Sequence, residues 1–513
     1  MKSFGSRRRT AVAIAVASVL ALAGCSAGGT AGPSEPAATG GTLTLAANAD
    51  NNSFDRALLE IGHRVQFWMP VFDTLLVLSP DGELEPNLAT EWEYNDDATV
   101  LSLTLRDDVE FSDGSPFDGE AVKANLEYLK AGTGQNAYMA ASIDEIVVNS
   151  PTDVELRLSQ PDPGLVWYLA VVGGAIASPA SLSASDAATN PVGSGPYIYD
   201  ADASTQGTKY VYEKNADYWN SEAFPYDEIV INPISDQTAR LNALKAGQAD
   251  FAVLDPRVMA EAEGSGLNVG AAHVDWQGLF LADRAGATIP ALADLKVRQA
   301  INMVIDRQSL LDSLWLGQGT TTSQIYNVDS QAYVEELDGA YEYDVDAAQA
   351  LMAEAGYSDG FAVTMPELSG AEQFSPFIED MLGELNITVT WEKIAPDQTI
   401  PELLSGKYPI FFFTLGSQSA WQDFRKVAFP TSPWNTAKVD DPAMDALLAE
   451  VTATQGDEQD AAMQEVNRYM VENAWFAPFF RGDTVLVSSA RVEATPQTWN
   501  VMPWTRNFQP SSQ

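Results

Sequence analysis

Only one stretch of this sequence is apolar enough to leave water on its own, and it stands near the start. Residues 11–23 carry no charge and follow Lys2, Arg7, Arg8 and Arg9. The run is shorter than the ~20 residues a helix needs to cross a bilayer. With its positive flank and the small residues Gly24, Cys25 and Ser26 behind it, it reads as a secretory signal. No later stretch approaches the roughly 18 uncharged apolar residues of a membrane span, so everything downstream has to fold as a body in water. The material for that is present: 46% of the residues are hydrophobic and 12 are Trp. A disordered or fibrous chain is excluded, and 513 residues suit about three domains.

The chain has one cysteine, Cys25, and two histidines, His63 and His273. An intramolecular disulfide is impossible, and structural zinc, thiol catalysis and His-rich metal sites have almost nothing to work with. Leu22-Ala23-Gly24-Cys25 resembles the bacterial lipoprotein processing box. That implies cleavage before Cys25 and a diacylglyceryl thioether on its sulfur; an ordinary signal peptide with an incidental cysteine is the alternative. Residues 1–24 are then a signal peptide and 25–41 a lipidated tether, since 26–41 is Gly, Ala, Ser, Thr and Pro with Glu35 as its one charge. A diacylated cysteine supplies the second chain that stable anchoring requires.

Charge narrows the partners. Acidic residues number 71 against 28 basic ones, a formal charge of −43. Processing removes four of those 28 and none of the 71, which leaves −47. A surface this negative repels phosphate backbones, so nucleic acid is not an expected partner.

Along the body, an alternating strand at 42–46 opens the fold. Segments 75–78, 91–94 and 99–106, separated by the turns Pro80-Asp81-Gly82 and Asn95-Asp96-Asp97, read as a β-meander. A helix is expected at 118–130, then strands at 143–148 and 154–158. Further strands are expected at 210–213, 228–231, 249–254 and 267–271, with a short helix at 238–246. The strongest helical signal is 295–315, where Val297, Ile301, Val304, Ile305, Leu311 and Leu314 form one stripe. Beyond it helices (346–355, 376–385, 398–404, 443–451, 460–472) alternate with strands (362–365, 388–391, 410–415), and 484–488 is the last strand. This is an α/β pattern with no internal repeat.

Catalytic chemistry finds no foothold. A nucleophile–imidazole pair has only His63 or His273 to use, and Gly193-Ser194-Gly195-Pro196 does not match a nucleophile elbow. No phosphate-binding glycine loop occurs. Asn48-Ala49-Asp50-Asn51-Asn52 and Asp200-Ala201-Asp202 lack the glycine and distal Glu of a calcium loop and read as turns. Trp68, Trp276, Trp391, Trp421 and Trp434 lie at or near strand ends, where clefts are lined; packing in a core is the competing role for each.

Six motifs in order carry a resemblance. The most specific is Val71-Phe72-Asp73-Thr74-Leu75-Leu76, followed by Gly82, Pro86, Leu88, Ala89 and Trp92, then residues 105–114 ending in Phe111-Ser112-Asp113-Gly114. The last of these matches an LRxGVxFxDGxP pattern except for Asp108, where Gly is common. Gly193-Ser194-Gly195-Pro196-Tyr197, Asn215-Ala216-Asp217-Tyr218-Trp219, Arg240 with 244–250, Lys296-Val297-Arg298-Gln299-Ala300-Ile301 with Arg307, and 348–357 follow. The chain resembles the solute-binding proteins of ABC importers, of the oligopeptide, dipeptide and nickel type, over everything after Gly40.

The resemblance implies a two-lobed α/β fold like that of class II periplasmic binding proteins, with an extra β-rich subdomain in the first lobe. Lobe I would comprise 42–64, 186–283 and 481–513, the meander subdomain 65–185, and lobe II 284–480. It further implies a monomeric, non-enzymatic receptor with no cofactor, metal or catalytic residue. Such a receptor holds a small or short-peptide solute between closing lobes, outside the cytoplasm at the membrane, and delivers it to an ABC permease and ATPase. A sensing or adhesion lipoprotein and a secreted hydrolase are the alternatives; permease and ATPase genes alongside would favour import.

One departure bears on the ligand. Peptide-binding members often carry an Asp shortly after the strand matching 410–415, which pairs with the peptide ammonium; here 409–422 contains no acid. Either Asp423 takes that role or the solute has no free amine there. Gln418, Ser419 and Trp421 offer neutral hydrogen bonds and a stacking face instead. Trp276 and Trp421 are expected to face the cleft, with Trp276, Gln418, Ser419, Trp421 and Asp423 as candidate ligand contacts.

Overall fold

The computed structural model describes residues 40–162, 164–272, 275–416, 419–454 and 456–511. Cys25, His273 and Gln418 lie outside the described residues. No helix among the described residues is long and apolar enough to cross a membrane.

Two sheets organise the chain. The larger runs Asn268–Ala272, Thr484–Ser488, Phe251–Leu254, Thr42–Ala47, Glu228–Pro233, Tyr210–Lys214, Tyr197–Tyr199. Its centre is parallel: Thr42–Ala47 pairs in parallel with both Glu228–Pro233 and Phe251–Leu254. That accounts for their near-continuous apolar reading, because strands covered on both faces need not alternate. The smaller sheet is antiparallel and runs Gly319–Thr321, Phe476–Gly482, Asp275–Leu281, Ile410–Gly416.

The strand Asp275–Leu281, expected in lobe I, belongs instead to the second sheet. Its run of Leu279, Phe280 and Leu281 is matched across the ladder by Phe412, Phe411 and Ile410, and that apolar pairing decides its partner. The exchange between sheets therefore falls between 272 and 275 rather than at 283. A second exchange occurs at Asp483, between Phe476–Gly482 and Thr484–Ser488. The two crossings lie side by side, since Ala272 pairs with Thr484 and Trp276 with Arg481.

Alternation in the second sheet splits its side chains between two cores. Leu279, Leu281, Ile410, Phe412, Ala477 and Phe479 pack on one side, while Trp276, Phe280, Phe411 and Phe476 pack on the other. A third core holds the N-terminal segments, from Leu43 through Trp68 and Tyr168 to Trp504.

Two expectations change in detail. The meander is a four-stranded antiparallel sheet ordered Ala89–Tyr94, Val100–Leu105, Asp153–Leu158, Ile143–Ser150. The hairpin at its end turns its second strand inward, and Leu76–Leu78 pairs separately with Leu84–Pro86. The helix expected at 295–315 is two, Leu295–Met303 and Arg307–Trp315, because Asp306 caps the second by accepting from Ser309 N. Its stripe is nonetheless buried throughout.

The family motifs are mostly scaffold. A Cβ on Gly193 would lie 2.1 Å from the Val71 carbonyl oxygen, and Gly195 N donates to that same oxygen at 2.8 Å; only glycine permits the approach. Ser194 Oγ and Tyr218 Oη donate to the buried Asp73 carboxyl at 3.1 and 2.9 Å, joining three motifs at one point. Arg298 and Arg307 are buried and donate mainly to backbone carbonyls, among them Asn473 O and Pro478 O.

Candidate binding cavity

A cavity of about 270 Å³ lies where the N-terminal segments meet the second sheet. One wall comes from Asn48, Ala49, 60–64, Gln135, Asn136, Tyr138 and 499–501; the other from Asp275, Ile400, 413–416, Lys426, Pro433 and Trp434. The volume sits just under the roughly 300–1,000 Å³ of pockets that hold drug-sized ligands, so the cavity suits a small solute.

The first wall is a helical turn. Gly62 takes φ +82°, a left-handed conformation natural to glycine, and the chain then coils through Gly62–Arg64 into Val65–Trp68. Buried Trp68 anchors the turn by donating from Nε1 to Glu60 O at 2.8 Å. Arg64 Nη1 meets Glu60 Oε2 at 2.6 Å, Arg64 Nε donates to Asp50 O at 2.8 Å, and Asn52 Nδ2 donates to Glu60 Oε1 at 2.5 Å. The charges of this wall are thus closed on each other. His63 lies between them, its Nδ1 buried without a partner. Burial first, then the charges of Arg240 and Arg64, push its pKa down to about 4, so the ring is neutral at physiological pH. Tyr138, partly buried, lines the same wall, and desolvation raises its pKa.

The second wall is made of strand ends. Phe413 stacks on Trp434 at 4.7 Å between centroids. Lys426, on the helix Ala420–Val427, donates to Asp423 Oδ1 at 3.0 Å and to Gly416 O at 2.9 Å. Asp275, paired in register with Gly416, lines the cavity. Burial pushes its pKa up to about 6 against the opposing pull of Lys426.

Of the residues anticipated as ligand contacts, the described ones, Trp276, Ser419, Trp421 and Asp423, do not line this cavity. Trp276 is 1% exposed and stacks on Phe280 at 5.1 Å within the core. Its neighbour Asp275 takes the cavity position, because consecutive strand residues face opposite ways and the apolar face goes to the core. Trp421 is 5% exposed; its indole Nε1 donates to Asp162 Oδ1 at 3.0 Å, and its ring sits against Gly164. The chain turns into a helix at Ala420, which swings Trp421 off the strand end and onto the N-terminal segments. Ser419 is the residue preceding that helix and makes no side-chain cap. Asp423 is buried and engaged by Lys426, so it is not the cavity carboxylate. Of the tryptophans singled out, Trp434 reaches the cavity; Trp68 and Trp276 are core, and Trp391 packs beside the core that holds Leu279 and Phe412.

The residues missed are Glu60, His63, Arg64, Tyr138, Asp275, Lys426 and Trp499. One signal pointed to Asp275: a hydrophobic strand that begins with an acid, Asp275-Trp276, must turn one of the two away from its core.

Comparison with known proteins places the fold. The family described as "Bacterial extracellular solute-binding proteins, family 5 Middle" matches residues 83–436. The glutathione-binding protein GsiB of Salmonella paratyphi A is 30% identical over 327 residues, 62% of this chain and 62% of that protein. Among solved structures, DppA of Helicobacter pylori, in complex with the peptide STSA, superposes with TM-score 0.83 at 20% identity, covering 93% of this chain and 99% of that one. AgaA of A. tumefaciens R10, in complex with agropinic acid, gives TM-score 0.82 at 22% identity, covering 92% and 99%. These likenesses show a mixed α/β periplasmic-binding-protein fold, as the sequence led us to expect.

Proposed function

We propose that this chain, which belongs to the family 5 bacterial extracellular solute-binding proteins, is a lipid-anchored receptor that captures a small polar or peptide-like solute and hands it to an ABC permease. The observation that carries the reading is the cavity itself, whose walls come from two separately packed regions of the chain. A site divided this way binds best when its halves come together, so ligand shifts the population toward the closed form. The adjacent crossings at 272–275 and 483 supply a place for the bend, and Trp421 on Asp162 supplies a contact made on closing. The relatives named above bind glutathione, a peptide and agropinic acid by their descriptions, all small polar molecules. We read this protein as a receptor rather than an enzyme, working as a monomer outside the cytoplasm.

Native mass spectrometry of the protein purified from its own host tests the receptor. A retained small molecule that dissociates on unfolding is expected; none retained, together with no uptake defect on deletion, would refute solute capture. The anchor is tested separately. Cys25→Ser should move the protein from the membrane fraction to the medium with its melting temperature unchanged, and continued fractionation with membranes would refute lipidation at that residue.

A further inference from the structure

We infer that the solute carries a cationic nitrogen, an ammonium or guanidinium, and that the carboxylate of Asp275 receives it; this rests on the receptor reading above and specifies its ligand. Besides Tyr138, the ionisable side chains lining the cavity are Glu60, His63, Arg64, Asp275 and Lys426. Glu60 and Arg64 neutralise one another at 2.6 Å. His63 is uncharged at neutral pH. Lys426 is held by Asp423 at 3.0 Å and by Gly416 O at 2.9 Å. Asp275 is the exception: among the described residues no hydrogen bond or ion pair closes on its carboxyl, and the one charge felt there is that of Lys426.

Asp423 is engaged by Lys426 at 3.0 Å, which leaves Asp275 as the cavity-lining carboxylate of this wall with no hydrogen bond or ion pair among the described residues. A carboxylate kept from bulk water without a partner costs free energy, and a ligand cation placed against it removes that cost. An anionic group would meet repulsion at the same point. The aromatic residues around the space, Trp434, Phe413, Tyr138 and Trp499, also favour a cation over an anion. Asp275 is borne on a strand paired on both sides, with Gly416 on one and Trp276 opposite Arg481 on the other. The carboxyl is therefore set in place before the ligand arrives, as a specificity determinant should be.

The experiment uses matched probes: amino acids, di- and tripeptides and diamines, each alongside its N-acetylated form, screened by thermal shift and quantified by calorimetry. A free-amine probe should stabilise the wild type while its acetylated partner does not. Asp275→Asn should weaken that binding at least about tenfold and Asp275→Glu should restore part of it, with Asp275→Asn still melting cooperatively without ligand. Equal binding of the acetylated partner, or full affinity in Asp275→Asn, would overturn the inference. So would a host-retained solute with no basic nitrogen, which leaves the receptor reading standing. A protein that retains no solute and answers to no probe fails both.

Discussion

The two walls of the cavity are built on opposite plans. The 60–64 wall is a short turn whose charges are satisfied internally: Glu60 and Arg64 on each other, and Arg64 also on Asp50 O. The wall at 275 and 413–416 is made of strand ends, with Lys426 on a helix beside them, and it presents a carboxylate that no hydrogen bond or ion pair closes on among the described residues. A self-satisfied wall can shape a solute but has little charge to offer it. The unsatisfied wall is the one that discriminates. The same contrast separates stability from specificity, because a closed ion pair is finished at folding whereas an open charge is finished at binding.

Breaking the root of the second wall should produce the largest effect. Trp276 stacks on Phe280 and meets Phe476 edge-on, so Trp276→Ala should cost about 3–5 kcal/mol in denaturant unfolding. A loss below 1 kcal/mol would mean the residue is not core. Next comes the join between the walls. Trp421→Ala removes a buried ring and strips Asp162 of its indole partner, a loss of about 2–4 kcal/mol. Small-angle scattering should then show a larger radius of gyration without ligand; an unchanged radius would refute Trp421 as a closing contact.

Acid should sharpen the comparison, because the walls respond to it in opposite senses. His63 has a folded pKa of about 4 against an ordinary 6.5, so its wall is at full strength above pH 6.5 and weakens as the pH falls toward 4. Asp275 has a folded pKa of about 6 against an ordinary 3.8, so its stabilising contribution is present below pH 3.8 and is lost as the pH rises through 6. Without ligand, Asp275→Asn should melt higher than wild type at pH 7.5 and no higher at pH 3.5. His63→Gln should flatten the fall in melting temperature between pH 6.5 and 4. Melting curves of identical pH dependence in wild type and both variants would remove the contrast. The smallest effect is expected at the closed pair: Glu60→Gln should cost about 0.5–1 kcal/mol, and a loss of several would show that this wall also depends on its charge.

Most elements were legible because their causes are local. The strand Thr484–Ser488 appears where expected, and the helix Gly119–Ala131 starts at its Asp118 cap, which accepts from Ala121 N. The second sheet shows where local reading stops. Period-two alternation in 275–281 says that Asp275 and Trp276 face opposite sides, yet not which side is core. Placing both Trp276 and Trp421 in the cleft assumed that a strand end delivers its tryptophan to ligand. Phe280 and Phe476 claimed the first, and Asp162 with Gly164 claimed the second.

By itself the sequence determined an acidic composition, a single cysteine behind an apolar run, and an α/β order of elements whose motifs name a family. Each of these follows from composition, spacing or near-neighbour pattern along the chain. Tertiary structure alone decided that 275–281 joins the second sheet, that Asp423 is taken by Lys426, and that Asp275 remains open to the cavity. The physical reason is that a side chain's availability depends on what packs against it from afar. Gly416 stands 141 residues from Asp275 in sequence and meets it only through the pairing of two strands.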